Sequence, residues 1–76
     1  MLPKRRKIDG RKLRALRERR GWSLREAAGR FGLSAQALNL YERNLMQPRE
    51  ETLDRMLPVL RVTYEALWRE YPRRSA

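Results

Sequence analysis

The sequence predicts an all-α chain, a small domain of five amphipathic helices, and three observations lead there. Apolar residues recur at i, i+3, i+4 and i+7, the stripe of one helix face. Capping residues Asp9, Ser23 and Ser34 stand just ahead of the periodic stretches. Gly21, Gly32, Pro48 and Pro72 fall where a helix must stop or restart.

Residues 1–8 read as a flexible arm, since Pro3 and consecutive charges offer nothing to bury. Asp9 caps a first helix over 10–20, with Leu13 and Leu16 turned to the core and Gly21 ending it. The second helix, 24–31, opens with a capping box: Ser23 accepts from the Glu26 N–H, and the Glu26 side chain reaches back to Ser23. Leu24, Ala27, Ala28 and Phe31 form its apolar stripe. Gly32 reverses the chain, and Ser34 caps a third helix, 35–43. Here Ala37, Leu38 and Tyr41 face inward, while Gln36, Asn39, Leu40 and Arg43 share the opposite side. Residues 44–47 form a loop, and Pro48 opens a fourth helix. Glu50, Glu51 and Asp54 lie early in it, where carboxylates suit the positive end of the helix dipole. Its apolar face is Thr52, Leu53, Met56, Leu57 and Leu60, and Pro58 is expected to kink it or end it early. A fifth helix starts near Thr63, with Tyr64, Leu67, Trp68 and Tyr71 at helical spacing before Pro72. The expected organisation is an arm over 1–8, one domain over 9–72 and a short tail over 73–76.

Seventy-six residues give one small core, which dimerisation or ligand contact would help to stabilise. The net charge of +10 is unevenly placed: residues 1–20 hold ten Lys/Arg against Asp9 and Glu18. Such a block at one end favours a polyanionic partner. With no histidine and no cysteine, the usual general base, the thiolate nucleophile and most transition-metal sites are missing. Glu50 and Glu51 are adjacent, so they point about 100° apart and suit a helix start better than an acid/base pair. No catalytic residue, metal or cofactor is expected, and an enzyme is excluded. No apolar run is long enough to span a membrane, and the basic start lacks the apolar core of a signal peptide, so a cytoplasmic location is expected.

A helix braced from behind, with amides and an arginine outward, suits the DNA major groove. Gln36 and Asn39 are the first choices for base contacts, because an amide pairs bidentately with adenine. Ala35 and Leu40 could add apolar contact to a thymine methyl group. Leu40 reads equally as ordinary surface, or as part of a protein-binding patch with Leu45 and Met46. Ser23 and the N–H groups at the start of the second helix offer a phosphate site. Lys4, Arg5, Arg6 and Lys7 could follow phosphates or enter a narrow minor groove.

Residues 21–41, preceded by Leu13, Leu16 and Arg17 and followed by Glu42, Pro48, Leu53, Leu60, Val62 and Leu67, resemble the Cro and phage-repressor (XRE-like) helix-turn-helix family. The resemblance runs over about residues 10–69, most of the chain. It implies a compact five-helix bundle with a helix-turn-helix, a lambda-repressor-like DNA-binding domain, with the second helix over the DNA backbone and the third in the major groove. By the same resemblance Ala35, Gln36 and Leu40 approach base edges, and Arg43, Asn44, Gln47 and Arg49 touch phosphates. Arg25 and Ser34 join them as backbone contacts, and Arg17 and Glu42 form a structural ion pair. The chain departs from the family at Leu24, where many members carry glutamine, and at Trp22 and Ala27, where leucine is usual. Trp68 and Tyr71 are expected to complete the core, with a dimer surface near Val59 and Arg61 as the other reading.

The function expected is a sequence-specific, double-stranded DNA-binding transcriptional regulator, a repressor of phage type or an antitoxin, acting as a homodimer on DNA. One alternative is an adaptor of the same fold that binds a protein partner. Another is an RNA binder using the arm, although no aromatic residues interleave with its basic run.

Overall fold

Each of the first three helices begins on a side chain that accepts one of its orphaned N–H groups. In the computed structural model, which describes residues 7–69, Asp9 accepts from Arg11 and starts α1, Gly10–Arg19. Ser23 accepts from Glu26 and starts α2, Leu24–Phe31, and Ser34 accepts from Ala37 and starts α3, Ala35–Glu42. The fourth helix, α4, is Glu50–Leu60. No side chain caps it, and Pro48 lies two residues ahead of it rather than opening it. Glu50 and Glu51 in its first turn face the positive end of the dipole.

α2 packs on α3 and α4, and α1 crosses α3. Between them lies one core in which Leu13, Phe31, Leu38, Met56, Leu60 and Leu67 are fully enclosed. Pro58 does not end α4, which continues to Leu60. The proline stands in the last turn, where one missing N–H interrupts little, and Arg61 then closes the helix in a left-handed conformation at φ 57°.

The expected fifth helix is not found: among the described residues the chain makes four α-helices and then a short 3-10 turn, Tyr64–Leu67. The cause lies in who takes its carbonyls. Leu67 O accepts from Asp9 N at 2.7 Å, and Trp68 O accepts from Lys12 Nζ at 2.7 Å. In an α-helix the Trp68 carbonyl would need the N–H of residue 72, which is a proline and has none. Burial at Leu67, and the edge-to-face contact of Tyr64 with Trp68 at 6.0 Å, are reached without a helix. Tyr71 lies outside the described residues.

Ile8, read from the sequence as part of the arm, is fully buried and pairs with Trp68 in an antiparallel bridge. Enclosing that side chain contributes about 2 kcal/mol, enough to dock an otherwise polar segment. Lys4, Arg5 and Arg6 lie outside the described residues, and Lys7 is exposed. Among the described residues no helix is long and apolar enough to cross a membrane.

Candidate nucleic-acid interface

The turn between α2 and α3 is short because Gly32 takes φ 73°. That conformation costs glycine nothing and lets Leu33 N donate to Ala28 O at 2.8 Å. Ser34 then restarts the helix, and α3 begins with a supported back. Leu38, Tyr41 and Glu42 form that back and are buried. On the outward side Gln36 and Arg43 are exposed, and Ala35, Asn39 and Leu40 are half-buried. Leu45 and Met46, just beyond α3, are 62% and 44% exposed.

Glu42 is buried because it has a partner. Arg17 Nε donates to Glu42 Oε2 at 2.7 Å and Arg17 Nη2 to Oε1 at 3.0 Å, a bidentate clamp from α1 onto the end of α3. The third edge of the guanidinium donates to the Trp22 carbonyl at 2.9 Å. The Glu42 hydrogen bonds raise the Arg17 pKa further above its ordinary value, so the cation is fixed. The Trp22 ring lies under Arg30 at 4.6 Å and meets Phe31 edge-on, which ties the α1–α2 turn to α2.

At the start of α2 the capping box is closed: Ser23 N donates to Glu26 Oε1 at 2.8 Å, and Glu26 N donates to Ser23 Oγ at 3.0 Å. These bonds to Ser23 hold the Glu26 carboxyl below its ordinary pKa. Ser23 Oγ accepts there, so its own hydroxyl proton remains a donor, and the N–H groups of Leu24 and Arg25 precede the first intrahelical bond. Arg25, Ser34, Arg43 and Arg49 are exposed.

Asn44 and Gln47 both bond to the N-terminal segment. Gln47 acts as a strand partner for Ile8, accepting from its N–H at 3.0 Å and donating to its carbonyl at 3.2 Å. Asn44, in a left-handed conformation at φ 61°, accepts at Oδ1 from Gly10 N and from Arg69 Nη2. Both amides therefore hold residues 8–10 against the loop, with Asn44 exposed and Gln47 half-buried. Nothing local in the sequence separates a loop amide that meets backbone from one that meets a ligand.

Gly10 was also missed as more than a helix start. Its position meets the carbonyls of Tyr41 and Glu42 so closely that no side chain fits. Beside it, Asp9 accepts from Arg11 N at 2.9 Å. Burial alone would raise the Asp9 carboxyl, but bonds from Arg11 and Asn44, with the charges of Arg11 and Arg69, outweigh it and lower its pKa below 3.8. A carboxyl lowered on folding stabilises the fold in full above its unfolded value, near 3.8, and loses that contribution as pH falls through the lower folded value. Asp9→Asn keeps a cap but removes the charge. Urea unfolding midpoints should therefore fall more steeply below pH 4 in the parent than in Asp9→Asn, and parallel curves would remove Asp9 from this role.

A profile of the helix-turn-helix (HTH_3) family matches residues 13–67. An HTH-type transcriptional regulatory protein of Pyrococcus horikoshii is 51% identical over 37 residues, covering 49% of this chain and 12% of the relative. The crystal structure of SinR, the master regulator for biofilm formation, in complex with DNA is 31% identical. It matches 75% of this chain and 95% of that chain with a TM-score of 0.69. SinR is a Bacillus subtilis protein, and its complex with SinI gives 30% identity, 76% and 57% coverage and a TM-score of 0.70. With the profile spanning most of its length and these neighbours over the same fold, the chain belongs to the HTH_3, XRE-type helix-turn-helix family.

Proposed function

We propose that this chain binds double-stranded DNA sequence-specifically and regulates transcription, as a repressor that acts as a homodimer, with α3 in the major groove. One observation carries the reading: α3 is clamped from behind at Leu38, Tyr41 and Glu42, and it presents Gln36 outward on a fixed surface. Gln36 and Asn39 read base edges through their amides, with Ala35 and Leu40 alongside them. Ser23, Arg25, Ser34, Arg43 and Arg49 hold the phosphates that set register. Asn44 and Gln47 act behind them by positioning the N-terminal segment. Lys4 to Lys7 add affinity that weakens with salt.

Selection of bound sequences from a randomised duplex pool, at a salt concentration that suppresses non-specific binding, tests the proposal. An inverted repeat with half-sites about 34 Å apart, or a multiple of that, is the expected product. Gln36→Ala should then lose about 1–3 kcal/mol of discrimination at one base pair per half-site while keeping its non-specific affinity. Enrichment of nothing, despite salt-sensitive binding, would overturn sequence reading by α3.

A second reading rests on Leu45 and Met46, the two large apolar residues exposed among the described residues. They lie next to half-buried Leu40 and would serve a protein partner. It predicts that Leu40→Glu abolishes partner binding, and that duplex binding shows no sequence preference.

A further inference from the structure

Cationic side chains from distant parts of the sequence meet near the start of α1. An open cavity of about 620 Å³ is lined by Asp9, Arg11, Lys12, Asn44 and Arg69, three cations with a single carboxylate. Arg11 and Lys12 come from the first turn of α1, whereas Arg69 comes from the far end of the described chain. Two backbone bonds bring these ends together, Asp9 N to Leu67 O at 2.7 Å and Arg69 N to Lys7 O at 2.8 Å.

Asn44 Oδ1 accepts from Arg69 Nη2 at 2.8 Å, and Trp68 O accepts from Lys12 Nζ at 2.7 Å. The carboxylate accepts from Arg11 N at 2.9 Å and from Asn44 Nδ2 at 3.4 Å, and its charge offsets part of that of Arg11 and Arg69, leaving the described lining net positive. Like charges converging on a water-accessible hollow, oriented by a carbonyl and an amide, make a receptor for an anion with several oxygens. Its position names the anion. Asn44 follows the C-cap of α3 directly, so the hollow opens at the end of the proposed reading helix, in the loop that also carries Arg43 and Arg49.

We propose that this hollow is a phosphodiester seat, in which Arg11, Lys12 and Arg69 grip the duplex backbone beside the segment that α3 reads, with Asn44 orienting Arg69. The seat rests on the duplex-binding function proposed above and adds a contact from the two ends of the described chain, well separated from those at the start of α2.

The test uses the full chain and a duplex taken from the selection. Affinity is measured against salt for the parent, Arg11→Gln, Arg69→Gln and the double variant, with thermal unfolding of each. Arg14→Gln is the control, an exposed α1 arginine whose bond is to Glu18 and which lies outside the hollow. Each single change in the seat should flatten the slope of log affinity against log salt by about one, and the double by about two, with the preferred sequence retained. Arg14→Gln should leave the slope unchanged. If Arg69→Gln does not fold, the exposed Arg11→Gln and Arg11→Glu still give the result.

Parental slopes in folded seat variants would overturn the seat while leaving duplex binding intact. Equal flattening by Arg14→Gln would also overturn it, by showing a diffuse field instead of a contact. If millimolar inorganic phosphate alone raises the melting temperature of the parent but not of the double variant, with no change in DNA slope, the hollow binds a free anion and the duplex assignment fails. A parent that does not bind duplex at all removes the proposed function, and the seat with it.

Discussion

Replacing Glu42 with alanine is expected to destabilise the fold by about 3–5 kcal/mol, because it strands a buried cation. The Arg17 side chain is 11% exposed and the Glu42 side chain 4%, so water cannot take over the lost partner. The surviving bond from Arg17 to the Trp22 carbonyl satisfies one edge of the guanidinium and none of its charge. A 76-residue domain with a total stability of order 5 kcal/mol would be left with about 0–2 kcal/mol, at or near its unfolding midpoint. Chemical denaturation of Glu42→Ala against the parent measures this directly. Removing both charges with Arg17→Met and Glu42→Leu should recover much of the loss, since the cost comes from the unpaired charge. A Glu42→Ala midpoint equal to that of the parent would mean that the clamp contributes nothing to stability.

Gly10→Ala should cost about 3 kcal/mol, through overpacking. A Cβ at residue 10 would stand 2.2 Å from the Tyr41 carbonyl oxygen and 2.4 Å from that of Glu42. Both are backbone atoms at the end of α3, so no rotamer change relieves the clash and α1 must move off α3. Gly29→Ala is the internal control. It sits within α2 with nothing within 4 Å of the added atom, so the same change there should stabilise by about 0.5–1 kcal/mol. Opposite signs in one urea series would establish that the close approach is responsible, whereas a neutral Gly10→Ala would refute it.

Helix starts were legible because their chemistry is local. Ser23 with Glu26, Ser34 and Asp9 each meet an N–H two or three residues away, so sequence spacing carries the whole interaction. The outward face of α3 was legible for the same reason, as one period places Gln36 opposite Leu38 and Tyr41. What failed was non-local. The spacing of Tyr64, Leu67 and Trp68 fits a helix, yet a 3-10 turn followed by extended backbone buries Leu67 equally well, and the choice was made by Asp9 and Lys12. Ile8 carried no periodic signal, being one apolar residue between charged runs. Of the candidate site, the outward face of α3 could be read from the residues, and the Arg17–Glu42 pairing only from family resemblance. The hollow at Arg11 and Arg69 could not, because its lining joins opposite ends of the chain.

The bridge between Ile8 and Trp68 has a consequence for how the molecule is made. It closes a loop of about 60 residues, and a contact so distant in sequence forms only after the chain between is complete. During synthesis the segment around Ile8 leaves the ribosome about 60 residues ahead of its carbonyl and amide partners at Leu67, Trp68 and Arg69. Ile8 therefore docks only once those later residues have emerged, after the helices between have been made.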